Sequence, residues 1–348
     1  MTGIGIIGIG FMGYTHFEAA KALEGGRVSA IATRNEQKLA GDWNGIQGNF
    51  GPPAGQVDLN DVACYSDYKQ LLADPNVDIV DICLPTDMHE KVVLEAIAAG
   101  KAVLVEKPIA IDLEAADRMV KAAEDAGVPL MVGHVLPFFP EFAFAADAIR
   151  GGKYGKLKAA HMRRVICKPD WSDGMSDFRR LGGWGIDLHI HDNHFLSYVC
   201  GVPKAVFSRG LLQDDYVNHV HSQYVFDDPD LAVTCVSGGI AAAGLQFGHG
   251  FELYLENATI MFDAGTLDGE WVVNTPLRLI TSDGVQTPEL DASSEWCGAF
   301  TAELQTAIQS LTDGTDSPVL SGTLARDALK LCCAEAKSIA TGEVQPVV

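Results

Sequence analysis

Apolar residues along this chain follow two rhythms. Between residues 3 and 133, short unbroken apolar runs alternate with stretches where apolar positions recur every third or fourth residue. The runs are GIGIIG (3–8), RVSAIAT (27–33), VDIVDICLP (77–85), KAVLVEKP (101–108) and PLMVG (129–133). Continuous apolar runs bounded by turn residues predict strands buried on both faces. THFEAAKALEGG, MHEKVVLEAIAAG (88–100) and LEAADRMVKAAEDAG (113–127) predict amphipathic helices, and the last two stop at a glycine. Strands alternating with helices predict an α/β domain, a doubly wound parallel sheet covered on both faces.

After about residue 136 the rhythm changes. KLKAAHMRRV, KAVFSRGLL, VHSQYVFDD, LAVTCVSGGI, FELYLENATIMF, EWVVN and LRLITS follow one another as strand-like runs, separated by turns such as DDPD (227–230) and SDG (282–284). Strands without intervening helices predict a mostly antiparallel sheet in an α+β domain. Two helical patterns close the chain, AFTAELQTAIQSL (299–311) and LARDALKLCCAEAKSIATG (324–342). The expected division is residues 1–133 and 134–348, with the C-terminal helix packing back on the first domain. Residues 41–60, GDWNGIQGNFGPPAGQVDLN, hold five glycines and two adjacent prolines and are expected to form a loop.

Composition narrows the partners. A formal net charge of −21 repels phosphate backbones and anionic lipid, so nucleic acid and membrane are excluded as expected partners. No segment runs apolar for the roughly 20 residues that a spanning helix needs. The N-terminus lacks the basic and apolar regions of a secretory signal. Eight scattered cysteines include no CxxC, which predicts free thiols and a cytoplasmic protein.

Gly8-Ile9-Gly10-Phe11-Met12-Gly13 fits GxGxxG between a predicted strand and a predicted helix. Such a turn needs glycines for its sharpness, for close approach of backbone to a pyrophosphate and for close helix–strand contact. The helix N-terminus adds N–H groups and partial positive charge for phosphates. A purely structural turn is the plainer alternative. The second strand ends at Thr33-Arg34, where an NAD-binding domain usually carries an acid. An arginine there suits a 2′-phosphate, so NADP is favoured over NAD; stacking on adenine is the other use for Arg34.

Two further stretches carry candidate chemistry. Glu106-Lys107-Pro108 stands at the carboxyl end of a predicted parallel strand, where ligands bind in open α/β sheets. Lys107 could there bind a substrate hydroxyl, or be a solvated surface charge. Residues 182–194, GGWGIDLHIHDNH, crowd three histidines and two aspartates together. On one continuous helix Asp187, His191 and His194 share a face and His189 points away. Asp187 and His191, four residues apart, can touch, and an aspartate beside an imidazole makes a general base. A metal site would need HxH on a strand with further ligands, so no metal is expected; a merely polar helix start is the plain alternative.

These pieces together resemble the Gfo/Idh/MocA family of NAD(P)-dependent oxidoreductases. AGKAVLVEKPIA is similar to the family's AGKHVxxEKPxA, CLPTDMHEK to its TPNxxH segment, and GGWGIDLHIHD to its GGGxLxDxGxH pattern, in the family's order. The resemblance spans essentially the whole chain. It implies a Rossmann domain followed by a domain with an open-faced sheet, and a homodimer or homotetramer. It implies cofactor contacts from Gly8, Gly10, Phe11, Met12, Gly13, Thr33, Arg34, Leu84, Pro85, Thr86, His89, Glu106, Lys107 and Pro108. It makes Lys107 the active-site lysine, Asp187 the aspartate and His191 the acid/base. Pro137 stands where an arginine is frequent, and His194 where an aspartate is common, which leaves the substrate open.

Arg163, Trp171 and His194 are substrate candidates: one of Arg163 and Arg164 on their strand, an aromatic face suited to sugar, and a histidine on the Asp187 face. Trp171 serves equally as a loop anchor. His219 and His221 share a strand face and one could line a pocket. The expected function is hydride transfer between a nicotinamide and a sugar, cyclitol or sugar-derivative carbon. Alternatives are a glycoside hydrolase that uses NAD transiently, and a non-catalytic NAD(P)/sugar sensor.

Overall fold

The structure, a computed structural model, describes all residues except 49, 169–177, 291–295 and 348. Two compact units divide the chain. The first is Met1–Phe138 with Ala292–Arg326; the second is Phe139–Asp291 with Asp327–Val348.

The first unit opens with β1 (Thr2–Ile7), α1 (Phe11–Ala19), β2 (Gly26–Ala32), α2 (Glu36–Leu39), β3 (Ala63–Tyr65) and α3 (Tyr68–Leu72). It continues through β4 (Ile79–Ile82), α4 (His89–Ala98), β5 (Ala102–Glu106), α5 (Leu113–Ala126) and β6 (Leu130–Gly133). The strands run in the order β3-β2-β1-β4-β5-β6, every pair parallel. Every residue of β4 and β5 is buried, which is why their sequences read as unbroken apolar runs. Strand order reverses between β1 and β4, and ligands bind such sheets outside the carboxyl ends at that reversal. α5 is capped at both ends. Asp112 accepts from the Ala115 amide at 2.8 Å, and Gly127 closes the helix at φ 63°.

Residues 41–60 form a loop with only an isolated bridge, Asp42 to Gln56. The loop is nonetheless packed. Trp43 is fully buried against Phe17, with ring centroids 4.8 Å apart. Phe50 stacks on Phe300 at 5.6 Å.

The second unit begins with α6 (Pro140–Arg150), β7 (Leu157–Cys167), α7 (Phe178–Leu181), α8 (Trp184–Asp187) and α9 (Ile190–Cys200). Then come β8 (Ala205–Gln213), β9 (Tyr216–Val225), β10 (Ala232–Ala241), β11 (Leu245–Leu255), β12 (Thr259–Leu267), β13 (Glu270–Thr281) and β14 (Gly284–Gln286). The chain next forms α10 (Gly298–Asp313), which belongs to the first unit, then α11 (Gly322–Thr341) and β15 (Gln345–Pro346). The nine strands are ordered β14-β13-β12-β11-β7-β10-β9-β8-β15. β7 and β10 are parallel and the other pairs antiparallel. Alternation along β7 buries Ala160, Met162 and Arg164 while His161 faces outward. Phe142 of α6 fills the buried side, 5.4 Å from Phe195 and 5.1 Å from Phe251 between ring centroids.

α10 docks on α1, where the Thr301 hydroxyl donates to the Ala19 carbonyl at 3.0 Å. Among the described residues, no helix is long and apolar enough to cross a membrane. All eight cysteines are free thiols.

Candidate functional site

The glycines after β1 have separate geometric reasons. Gly8 adopts φ +99°, a conformation that side-chain-bearing residues avoid. A Cβ on Gly13 would lie 2.1 Å from the Gly8 carbonyl oxygen, so α1 packs against the turn only with glycine there. A Cβ on Gly10 would meet nothing within 4 Å, and no side chain caps α1. The first-turn amides of α1 thus carry their partial positive charge without a side-chain cap, as a pyrophosphate site requires. The residues present fit a dinucleotide.

Thr33 and exposed Arg34 follow β2. One cation near the turn escapes the motif. The Lys38 ammonium donates to the Ile9 carbonyl at 2.6 Å, inside the glycine turn, and burial lowers its pKa. Only the path of the chain after β2 brings Lys38 there, which is why spacing does not reveal it.

Two neighbouring strand ends complete this side of the sheet. β4 leads into Leu84, Pro85 and Thr86, and β5 into Lys107 and Pro108 across a cis peptide. His89 is 1% exposed and joins the two turns: Nδ1 lies 3.0 Å from the Pro108 carbonyl oxygen and Nε2 2.8 Å from that of Leu84. Its ring nitrogens are thus engaged by backbone, so His89 shapes the two loops. Burial lowers its pKa. Lys107 is half-buried, while Glu106 is buried and accepts the Lys107 amide at 3.1 Å.

In the second unit the expected single helix is broken. α8 ends at Asp187 and α9 starts at Ile190, with the Leu188 backbone at φ −104°, ψ −53° between them. Asp187, the last residue of α8, and His191, the second of α9, are both half-buried. His189 sits at the break and is fully buried, with Nε2 2.9 Å from Glu335 Oε1. Burial opposes charge on the His189 ring, but Glu335 outweighs it and raises the pKa. With the helix broken, the continuous-helix argument for the direction of His189 lapses, and its buried contact with Glu335 places it in the core.

The family model described as oxidoreductase family, NAD-binding Rossmann fold (Gfo/Idh/MocA) matches residues 2–134. The chain is 26% identical to myo-inositol 2-dehydrogenase of Thermotoga maritima, over 97% of this chain and 96% of that one. It is 24% identical to inositol 2-dehydrogenase of Rhizobium meliloti, over 97% and 96%. The first unit thus carries the NAD-binding Rossmann domain of the Gfo/Idh/MocA oxidoreductases, and similarity to the two dehydrogenases runs over nearly the whole chain. Its two-unit fold matches a solved aldose-aldose oxidoreductase from Caulobacter crescentus with TM-score 0.80, 19% identity and 99% coverage of both chains.

The structure separates the remaining residues that the sequence suggests. Strand alternation turns Arg164 rather than Arg163 toward α9, where its guanidinium forks onto Asp192 at 2.8 and 3.2 Å. Arg163 occupies the opposite face of the sheet and pairs with Asp263. His194 is 0% exposed, so no surface of it is open to a ligand. His219 and His221 do share a face, with Nε2 atoms 3.2 Å apart. Trp171 lies outside the described residues.

Proposed function

We propose that this protein transfers hydride between a nicotinamide dinucleotide and a CH–OH carbon of a sugar, cyclitol or sugar derivative. The observation that carries the reading is Lys107, half-buried at the end of β5, two strands from the glycine turn on the same edge of one sheet. In this reading the turn Gly8–Gly13, with Phe11 and Met12, holds the pyrophosphate, and Leu84, Pro85, Thr86 and Pro108 border the dinucleotide. When bound, the nicotinamide supplies the hydride acceptor or donor. Lys107 binds and polarises the substrate oxygen. His191 takes the hydroxyl proton, and Asp187 orients its ring. The relatives' names, two inositol dehydrogenases among them, support a polyol substrate.

NADP is favoured over NAD, on the strength of Arg34 beyond β2 and Lys38 at the turn. The open face of the nine-stranded sheet exposes Val225 and Tyr254, which supports a homo-oligomer covering it. Free thiols support a reducing compartment, the cytoplasm.

The test is turnover of myo-inositol and a panel of sugars and glycosides with NAD and NADP, followed by absorbance of the reduced nicotinamide. The expected result is cofactor reduction by at least one polyol, lost in Lys107→Met. A wild type that binds dinucleotide yet oxidises nothing in the panel would refute the reading. Cleavage of a glycoside without net cofactor consumption would replace it by the hydrolase alternative. Affinities for both dinucleotides in wild type and Arg34→Asp test the cofactor preference, which is wrong if their ratio is unchanged.

A further inference from the structure

Below the Lys107 turn lies the most enclosed group of titratable side chains in the first unit. His16, on the second turn of α1, is 0% exposed. Its Nδ1 is hydrogen-bonded to Asp81 Oδ2 at 2.8 Å, and Cys83 Sγ lies 3.7 Å from the same nitrogen. On the other side of the ring, Nε2 is at ion-pair distance, without hydrogen-bond geometry, from Glu106 Oε1 (3.1 Å) and Glu303 Oε2 (3.9 Å). Burial opposes charge on this ring, yet Asp81 and Cys83 outweigh it and hold its pKa well above the usual imidazole range.

The ring thus joins three elements that matter to the reaction. α1 carries the glycine turn. β4, through Asp81, leads to Leu84, Pro85 and Thr86. β5 ends in Glu106, whose other oxygen, Oε2, accepts the Lys107 amide. For packing alone, an apolar side chain of similar volume would do as well or better. What an imidazole adds is a fixed direction between two carboxylates.

We propose that His16 is a positioning residue for Lys107: anchored by Asp81, its ring fixes the Glu106 carboxylate, and Glu106 fixes the peptide from which Lys107 projects. This rests on the reading of Lys107 as the group that polarises the substrate oxygen.

The experiment uses the full chain as wild type, His16→Gln, Glu106→Gln and the double variant. The primary readout is acetylation of Lys107 by trace acetic anhydride, measured by peptide mass spectrometry against Lys121, whose side chain is 73% exposed. It requires no turnover. Both single variants should label faster at Lys107 relative to Lys121, and the double variant no faster than either single, as members of one chain of contacts do. With a turned-over substrate, kcat should fall by about 10²-fold, the usual cost of a reacting group misplaced by an ångström. In His16→Gln, which alters no residue of the cofactor set, the Kd for the dinucleotide should stay near wild type, which a general loosening of the unit would not allow. Unchanged Lys107 labelling in folded His16→Gln, or additive effects in the double variant, overturns the proposal. If His16→Gln does not fold, Glu106→Gln decides alone, and wild-type labelling there overturns it. Faster labelling with an unaltered kcat keeps the positioning and instead removes Lys107 from the chemistry.

Discussion

His16 in the first unit and His189 in the second are both completely buried beside carboxyl groups, and the two surroundings are opposite in kind. Around His189 every donor finds an acceptor. Glu335 receives His189 at 2.9 Å, the Ser222 hydroxyl at 2.6 Å and the Asn193 amide at 2.7 Å, and the Tyr224 hydroxyl donates to Asn193 at 2.7 Å. Burial lifts the Glu335 pKa, but His189 and the hydrogen bonds outweigh it and the net shift is downward. Around His16 the outer carboxyl is left over. Glu303 is 0% exposed and neither of its side-chain oxygens has a hydrogen-bond partner among the described residues. Burial raises its pKa well above the carboxyl range, with His16 pulling the other way. A buried charge with a full set of partners supports the fold, whereas an unpartnered buried carboxyl works against it. The first unit therefore gives up stability around Glu303, and the second does not around Glu335.

The sharpest test separates two histidines two residues apart. His191→Ala should lower kcat by about 10²–10⁴, the usual worth of a positioned acid/base group, with little change in melting temperature. His189→Ala should instead melt early. The structure places this ring in the core. Equal loss of kcat in two folded variants would contradict the assignment.

Next in size is Glu335→Ala, which strands His189 and Asn193 in the core and should cost about 3–5 kcal/mol in denaturant titrations. A loss below about 1 kcal/mol would show that the network is ornamental, since that is the net worth of one ordinary hydrogen bond.

Glu303→Gln should do the reverse, raising stability at neutral pH by roughly 1 kcal/mol or less. The sign follows from the raised pKa: the folded state holds the proton, and stability is lost as pH rises above the ordinary carboxyl value toward the folded one. The gain should therefore be present at pH 7 and vanish near pH 4. A destabilised variant at pH 7 would mean Glu303 has a partner.

The smallest effect is a pH window. His189 has a raised pKa, so its contribution is complete below the ordinary imidazole value and fades as pH rises through the folded one. Glu335 has a lowered pKa, so its contribution is complete above the ordinary carboxyl value and fades as pH falls through the folded one. The stability difference between wild type and Glu335→Gln should be largest between about pH 4.5 and 6.5. A flat difference across that range would remove the ion pair.

Much of this was legible beforehand and some could not be. Gly8, Gly10 and Gly13 announce their turn because three demands on one backbone fall within six residues. Lys107 announces itself by standing where a buried run ends. Glu303 and Glu335 look like surface acids on amphipathic helices, and what surrounds them comes from far off in the chain, His16 near Glu303 and His189 bonded to Glu335. The break at Leu188 is hidden because a helical wheel assumes continuity. Trp43 is hidden because its contact, Phe17, lies outside the glycine-rich segment that holds it.

The return of the chain to the first unit has a consequence for biosynthesis. A ribosome that has released residues 1–138 has made all six parallel strands but not α10, whose Phe300 and neighbouring Trp296 lie against Phe50 and Tyr14. Nor has it made Leu320, whose carbonyl receives the Val132 amide at 2.8 Å on the outer strand. The nascent nucleotide-binding unit must wait, with an apolar flank and a sheet edge uncovered, until the nine-stranded sheet has been synthesised. A chaperone that holds nascent chains should engage this protein between those two moments.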